Sequence, residues 1–153
     1  MNCGCYVRQG LVYLPTWAKT VDGVYLAQEP LAVVSVRDTP ELELAFKEKF
    51  LHGNPRIPRP DFRALKPIFE THAGVKSWSS FERGAASWSV TERDGIYEIC
   101  IGRRCRNGGW EDDHERKVIF PPGTTLDEAC RRIVEIIQAE AGAIRPRSIH
   151  PGS

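Results

Sequence analysis

The sequence predicts an α+β fold, a mostly antiparallel sheet of β-hairpins and a meander with two main helices on one face. Two Asp-Gly pairs, Asp22-Gly23 and Asp94-Gly95, sit between runs of β-branched and aromatic residues, the pattern of a hairpin turn. Two segments, opening at Asp38 and at Thr125, start with capping residues and continue with apolar side chains at helical spacing. Strands and helices are segregated along the chain rather than alternating, which favours an antiparallel sheet over a parallel one.

In chain order, Tyr6 to Leu14 reads as extended structure broken at Gln9-Gly10. Thr16 to Thr20 continues as a strand into Val21-Asp22-Gly23, Val24 to Ala27 returns, and Leu31 to Val36 follows Pro30 as a further run. Pro30 cannot donate to a ladder and marks an edge or a break. The first helix begins at the capping box Asp38-Thr39-Pro40-Glu41. It buries Leu42, Ala45, Phe46 and Phe50, and it stops at Gly53-Asn54-Pro55. Residues 54–67 form a proline-spaced connector without regular structure, carrying Arg56, Arg59, Arg63 and Lys66. Ile68 to Thr71 is expected as a short strand, and Trp78 to Gly84 as one or two helical turns capped by Ser77.

Ser87 to Thr91 and Ile96 to Ile101 form the second hairpin, with Tyr97, Ile99 and Ile101 on one face and Glu98 and Cys100 on the other. Val118 to Phe120 pairs with the latter strand across a loop holding Gly108-Gly109. The box Thr125-Leu126-Asp127-Glu128 opens the last helix, whose stripe is Leu126, Cys130, Ile133 and Ile137, broadened by Ala129, Val134 and Ile136. Gly142 is expected to end it. One domain over residues 1–142 follows, with a flexible tail over 143–153.

Composition narrows the function. With 153 residues, 41% hydrophobic and 27% charged, the chain has an ordinary globular make-up and can bury a core without staples. A net charge of +1 gives no general steering toward polyanions. Met1 to Tyr6 lacks a basic region followed by an apolar stretch, and no apolar run is long enough for a membrane span. A cytoplasmic location with reduced thiols, and no membrane partner, is expected. Phosphate-loop, dinucleotide-binding and serine-elbow patterns are absent from the sequence, so no cofactor is expected. Cys3-x-Cys5 and Cys100-x-x-x-x-Cys105 depart from structural zinc spacing, Cys3 and Cys5 lie at a terminus expected to fray, and no metal is expected.

Four groups of residues are candidates for function. The loop 102–117 places Arg103, Arg104 and Arg106 before Gly108-Gly109-Trp110 and Glu111, Asp112 and Asp113 after it. In a hairpin the two arms pair their charges, which by itself is an ordinary surface device. Trp110 at the tip would have few neighbours of its own chain, and Trp and Arg are the residues enriched in binding hot spots. Pro60-Asp61 with Glu115-Arg116-Lys117 resembles the Pro-Asp…Glu-x-Lys pattern of restriction-like nucleases. That resemblance implies Asp61 and Glu115 as metal carboxylates and Lys117 beside the attacking water. Arg56, Arg59, Arg63 and Lys66 could instead hold nucleic-acid phosphates. Trp78, Phe81 and Trp88 are expected to bury together, or otherwise to offer a stacking surface.

The run Gly74-Val75-Lys76-Ser77-Trp78-Ser79-Ser80-Phe81-Glu82-Arg83-Gly84-Ala85-Ala86-Ser87-Trp88, with Phe120-Pro121-Pro122-Gly123-Thr124-Thr125, resembles a group of small uncharacterised bacterial proteins. In size and α+β layout the chain is also similar to bacterial immunity proteins, which bind and neutralise a cognate toxin domain. That resemblance implies a protein partner and carries over no individual residues.

Overall fold

The computed structural model describes residues 1–65 and 67–143. Strand β1 (Cys5–Arg8) turns at Gln9-Gly10, both at positive φ as a tight hairpin turn requires, into β2 (Leu11–Thr20). The Val21–Gly23 turn leads to β3 (Tyr25–Ser35) and helix α1 (Thr39–His52). Then come β4 (Arg56–Ile57), a 3-10 turn at Phe62–Ala64, and the short helices α2 (Ile68–Ala73) and α3 (Trp78–Arg83). Strands β5 (Ala85–Arg93) and β6 (Ile96–Arg104) form the second hairpin across Asp94-Gly95. Strand β7 (Trp110–Asp112), a 3-10 turn at His114–Arg116, β8 (Val118–Ile119) and helix α4 (Leu126–Ala143) complete the described chain.

The sheet runs β3-β2-β1-β5-β6-β7, antiparallel throughout that path; β4 adds to β2 in parallel and β8 adds to β6. The expected α+β architecture is therefore the observed one. What appeared as separate extended runs in the sequence are continuous strands. Pro15 sits at the register shift between Leu14 and Thr16, where β2 needs no ladder donor. Pro30 lies in β3, the edge strand, opposite that shift.

Alternation along the strands sorts the side chains onto two faces. Cys5, Val12, Leu14, Trp88, Val90, Ile99 and Ile101 point to the face covered by α1 and α4. There they meet Leu42, Phe46, Ile133, Val134 and Ile137, all buried. Tyr6 and Tyr13 point the other way, to Phe69, Phe81 and Trp78 on α2 and α3. The two main helices thus share one face, as expected, and two short helices cover part of the other. Their caps match the sequence. The Asp38 side chain accepts from the Glu41 N–H at 3.3 Å, and Thr125 Oγ1 accepts from the Glu128 N–H at 3.2 Å while the Glu128 carboxylate reaches back to the Thr125 N–H.

Five expectations are corrected. Ile68–Ala73 is helical rather than a strand. Gly74, at φ 69°, closes it by donating its N–H toward Glu70 and Thr71, a left-handed stop that outweighs the local β propensity. The connector carries β4 and a 3-10 turn, held by Asn54, whose side-chain amide donates to the carbonyls of Asn2 (2.8 Å) and Trp17 (3.0 Å) and accepts from the Asn2 N–H (2.8 Å). Trp88 does not join Trp78 and Phe81, because its parity on β5 turns it into the opposite core beside Cys5 and Val90. Cys3 and Cys5 do not fray; the Cys3 N–H donates to the Val90 carbonyl at 2.7 Å and both thiols are buried. Gly142 lies within α4, which runs to Ala143, while the remaining tail residues 144–153 lie outside the described residues.

The core thiols make a testable statement. Burial pushes Cys3, Cys5 and Cys130 up, Cys130 from 9.0 to about 12, with Asp127 adding to the effect there. Below pH 9 these thiols are neutral in both states. Above it the unfolded chain releases protons that the folded chain retains, so stability falls as pH rises toward 12. Urea midpoints should decline through that window, and Cys130→Ala should flatten the decline.

Candidate partner-binding surface

The β6–β7 hairpin is built across Gly102, and an added Cβ there would stand 2.9 Å from Trp110 Cβ and 3.3 Å from Ser87 Cβ. Only glycine lets the two strands close with Trp110 laid over this face. Arg103 pairs with Glu111 across the ladder, Nη2 to Oε1 at 2.7 Å, as the opposed charges of the two arms predict. Arg104 and Trp110 are the next register pair, and the guanidinium stands 5.3 Å from the indole centroid.

Trp110 is not the isolated tip expected from the sequence. It is half-buried, 5.4 Å from the Tyr6 ring and 6.1 Å from the Trp78 ring, at the open margin of the aromatic cluster. Tyr6 and Trp78 come from β1 and α3, far away in sequence, so no local pattern places them under the hairpin. Phe81 stacks on Trp78 at 5.3 Å and meets Tyr6 and Tyr13 edge-on at 5.8 and 5.2 Å. Burial pushes the Tyr6 hydroxyl up to about 12, with Cys5 and Glu82 adding to it.

Glu82, which no sequence pattern singled out, ties the turn down. It is 6% exposed, and its carboxylate accepts from the Gly109 N–H while Arg104 Nη1 donates to its backbone carbonyl at 2.6 Å. Arg104 Nη2 lies 4.0 Å from the same carboxylate. The Cys105 N–H donates to the Gly109 carbonyl at 3.1 Å, closing the turn. Arg8, on β1, extends this rim with its guanidinium 5.8 Å from the Phe81 centroid, and its Nε is buried without a hydrogen-bond partner among the described residues. The result is a half-buried aromatic patch with exposed Arg103, Arg104 and Arg106 beside it, the first two held by Glu111 and Glu82. Asp112 and Asp113 are half-buried, and the Asp113 carbonyl accepts from the Cys100 thiol at 3.2 Å.

The fold has solved counterparts. No family model and no curated protein matches the chain. A protein of unknown function from Neisseria meningitidis is similar to it with a TM-score of 0.64 and 14% identity, covering 95% of this chain and 96% of that one. A chain of the CdiA-CT/CdiI toxin and immunity complex from Yersinia pseudotuberculosis is similar with a TM-score of 0.58 and 13% identity, covering 89% and 95%. At these identities the likeness is one of fold.

The other candidate groups do not assemble. Asp61 caps the 3-10 turn by accepting from the Arg63 N–H at 3.0 Å, beyond β4 on the β2 side of the sheet. Glu115 lies in the turn before β8, on the β6 side, and Lys117 faces Glu98 at 3.9 Å. Strand β4 lies on the edge of β2 that also carries β1, and β8 lies on the outer edge of β6, so β5 and β6 stand between the two segments and the sheet does not bring Asp61 and Glu115 together as the nuclease pattern requires. Among the described residues no group of three or more His, Cys, Asp or Glu side chains is placed to hold a metal ion. Arg56, Arg59 and Arg63 are exposed along the connector, and Lys66 lies outside the described residues. No helix among the described residues is long and apolar enough to cross a membrane.

Because Trp110 is packed and not free, Trp110→Ala should cost about 1–3 kcal/mol of stability, from lost aromatic contacts and a partly buried void. A thermal midpoint equal to that of the unaltered protein would return Trp110 to an exposed tip.

Proposed function

We propose that this chain is a protein-binding module of the immunity type, which occludes a toxin domain through the β6–β7 hairpin and the aromatic margin beside it. The reading rests chiefly on the preorganised hairpin. Its turn is anchored to α3 through Glu82, so the aromatic patch and its arginines are presented without ordering a loop on binding. The fold likeness to a chain of a toxin and immunity complex supports the same reading.

The test is co-expression with a toxin-like domain encoded beside this gene. Growth should be restored and the two proteins should co-purify. Arg106 is exposed and has no ion pair among the described residues, so Arg106→Glu should leave the thermal midpoint unchanged. It should also weaken the complex through like-charge or lost-charge effects, chiefly in the association rate. Full protection by Arg106→Glu and Trp110→Ala together would remove this surface from consideration.

A further inference from the structure

A second surface lies at the diagonally opposite corner of the sheet. Antiparallel pairing carries the 105–109 turn to the end of the sheet where β1 finishes, and carries the β2–β3 turn to the other end, with β1 and β5 between the two hairpins. Strand β4 brings the connector against that turn: Arg56 and Ile57 pair with Lys19 and Thr20, and the Lys19 N–H donates to the Pro55 carbonyl at 2.8 Å. Arg59 then bridges the two, 3.6 Å from Asp22 and 5.9 Å from the Phe62 centroid. A shallow recess between turn and connector is lined by Lys19, Thr20, Val21, Asp22, Gly23 and Arg56.

Apolar and basic side chains meet at this corner. Val21 is 78% exposed, Val24 47%, Phe62 50% and Leu65 48%, so the turn and the connector each present large apolar side chains to water. The same two segments, 19–25 and 54–65, carry four cations, Lys19, Arg56, Arg59 and Arg63, against two carboxylates, Asp22 and Asp61. Both carboxylates are engaged within the chain, Asp22 by Arg59 and Asp61 by the Arg63 N–H. Symmetric pairing with a second copy would set this positive charge against itself.

We infer that this corner is a second docking surface and that its occupant is an acidic protein segment carrying apolar side chains. Carboxylates of that segment meet Lys19, Arg56 and Arg63, while its apolar groups cover Val21, Phe62 and Leu65. The surface is independent of the hairpin and stands or falls without it.

A synthetic peptide of glutamates interspersed with leucine and phenylalanine is the probe, with binding followed on the backbone amides of the full chain by NMR. Shifts should be confined to residues 19–25 and 54–65 and should weaken with added salt. The same peptide with lysine for glutamate should give none. Phe62→Ser and Arg56→Glu, both at exposed positions, should each weaken binding about tenfold or more. Unaltered affinity in both variants, or shifts centred elsewhere, would overturn the inference. So would tighter binding at these residues of single-stranded RNA, or of phosphatidylserine vesicles, which would assign the corner to nucleic acid or to a lipid surface instead.

Discussion

Phe46→Ala should destabilise the protein by about 3–5 kcal/mol, and Ile133→Ala by about 2–5 kcal/mol, the range for emptying well-packed core sites. Both side chains are fully buried where α1 and α4 cross the sheet, among Val12, Leu14, Val34 and Ile99. Leu42 and Ala45 on one helix and Ala129 and Val134 on the other belong to the same buried cluster. Urea midpoints would read the loss directly. The pair also tests the assignment of faces: a variant at exposed Leu44 or Leu51, on the outer side of α1, should shift the midpoint by only a few tenths of a kcal/mol.

Local rules made much of this fold legible in the sequence. Helices α1 and α4 announce themselves because a capping box and an apolar stripe act within a few residues of one another, joined in α1 by the closing Gly53. The hairpin turns at Gln9-Gly10 and Asp94-Gly95 are legible for the same reason, since positive φ is a demand on the turn residues alone. Ile68–Ala73 shows the limit. Its apolar residues suit either a strand or a helical turn; Gly74 closes it as a helix, and the packing that holds it comes from Tyr6 and Tyr13 on strands laid down much earlier.

The candidate surface was legible in part only. Opposed charges at Arg103 and Glu111 follow from hairpin geometry, and the structure joins them. The position of Trp110 depends on which aromatic residues lie under the hairpin, and that is settled by β1 pairing with β5 and by α3 folding over β1. Glu82 is the clearest case. Its partner Gly109 is 27 residues away, and nothing in the local run distinguishes it from a solvated glutamate. The one sequence signal is position, a lone carboxylate at the end of an aromatic helical turn, directly beside Phe81.

The second large effect belongs to Phe81. Phe81→Ala should cost about 3–5 kcal/mol, as much as the loss of Phe46, although Phe81 sits on a helix of only six residues. A helix this short has almost no stability of its own. It is held by what it buries, and Phe81, fully buried, is its anchor: it stacks on Trp78, meets Tyr6 and Tyr13 edge-on, and lies 5.4 Å from Phe69 of α2. Removing it also withdraws support from Glu82, the adjacent residue, and through it from the turn at Gly109. The consequence differs from that of Phe46→Ala. Loss of Phe46 should lower the urea midpoint while leaving the hairpin amides as protected as global stability allows. Loss of Phe81 should in addition speed hydrogen exchange at Gly109 and Cys105 and shift Trp78 and Trp110 fluorescence to the red under conditions where the protein remains folded. If Phe81→Ala lowers stability with no change at those amides, Glu82 holds the turn without help from the aromatic cluster, and the rigidity of the binding surface would have to come from the β6–β7 ladder alone.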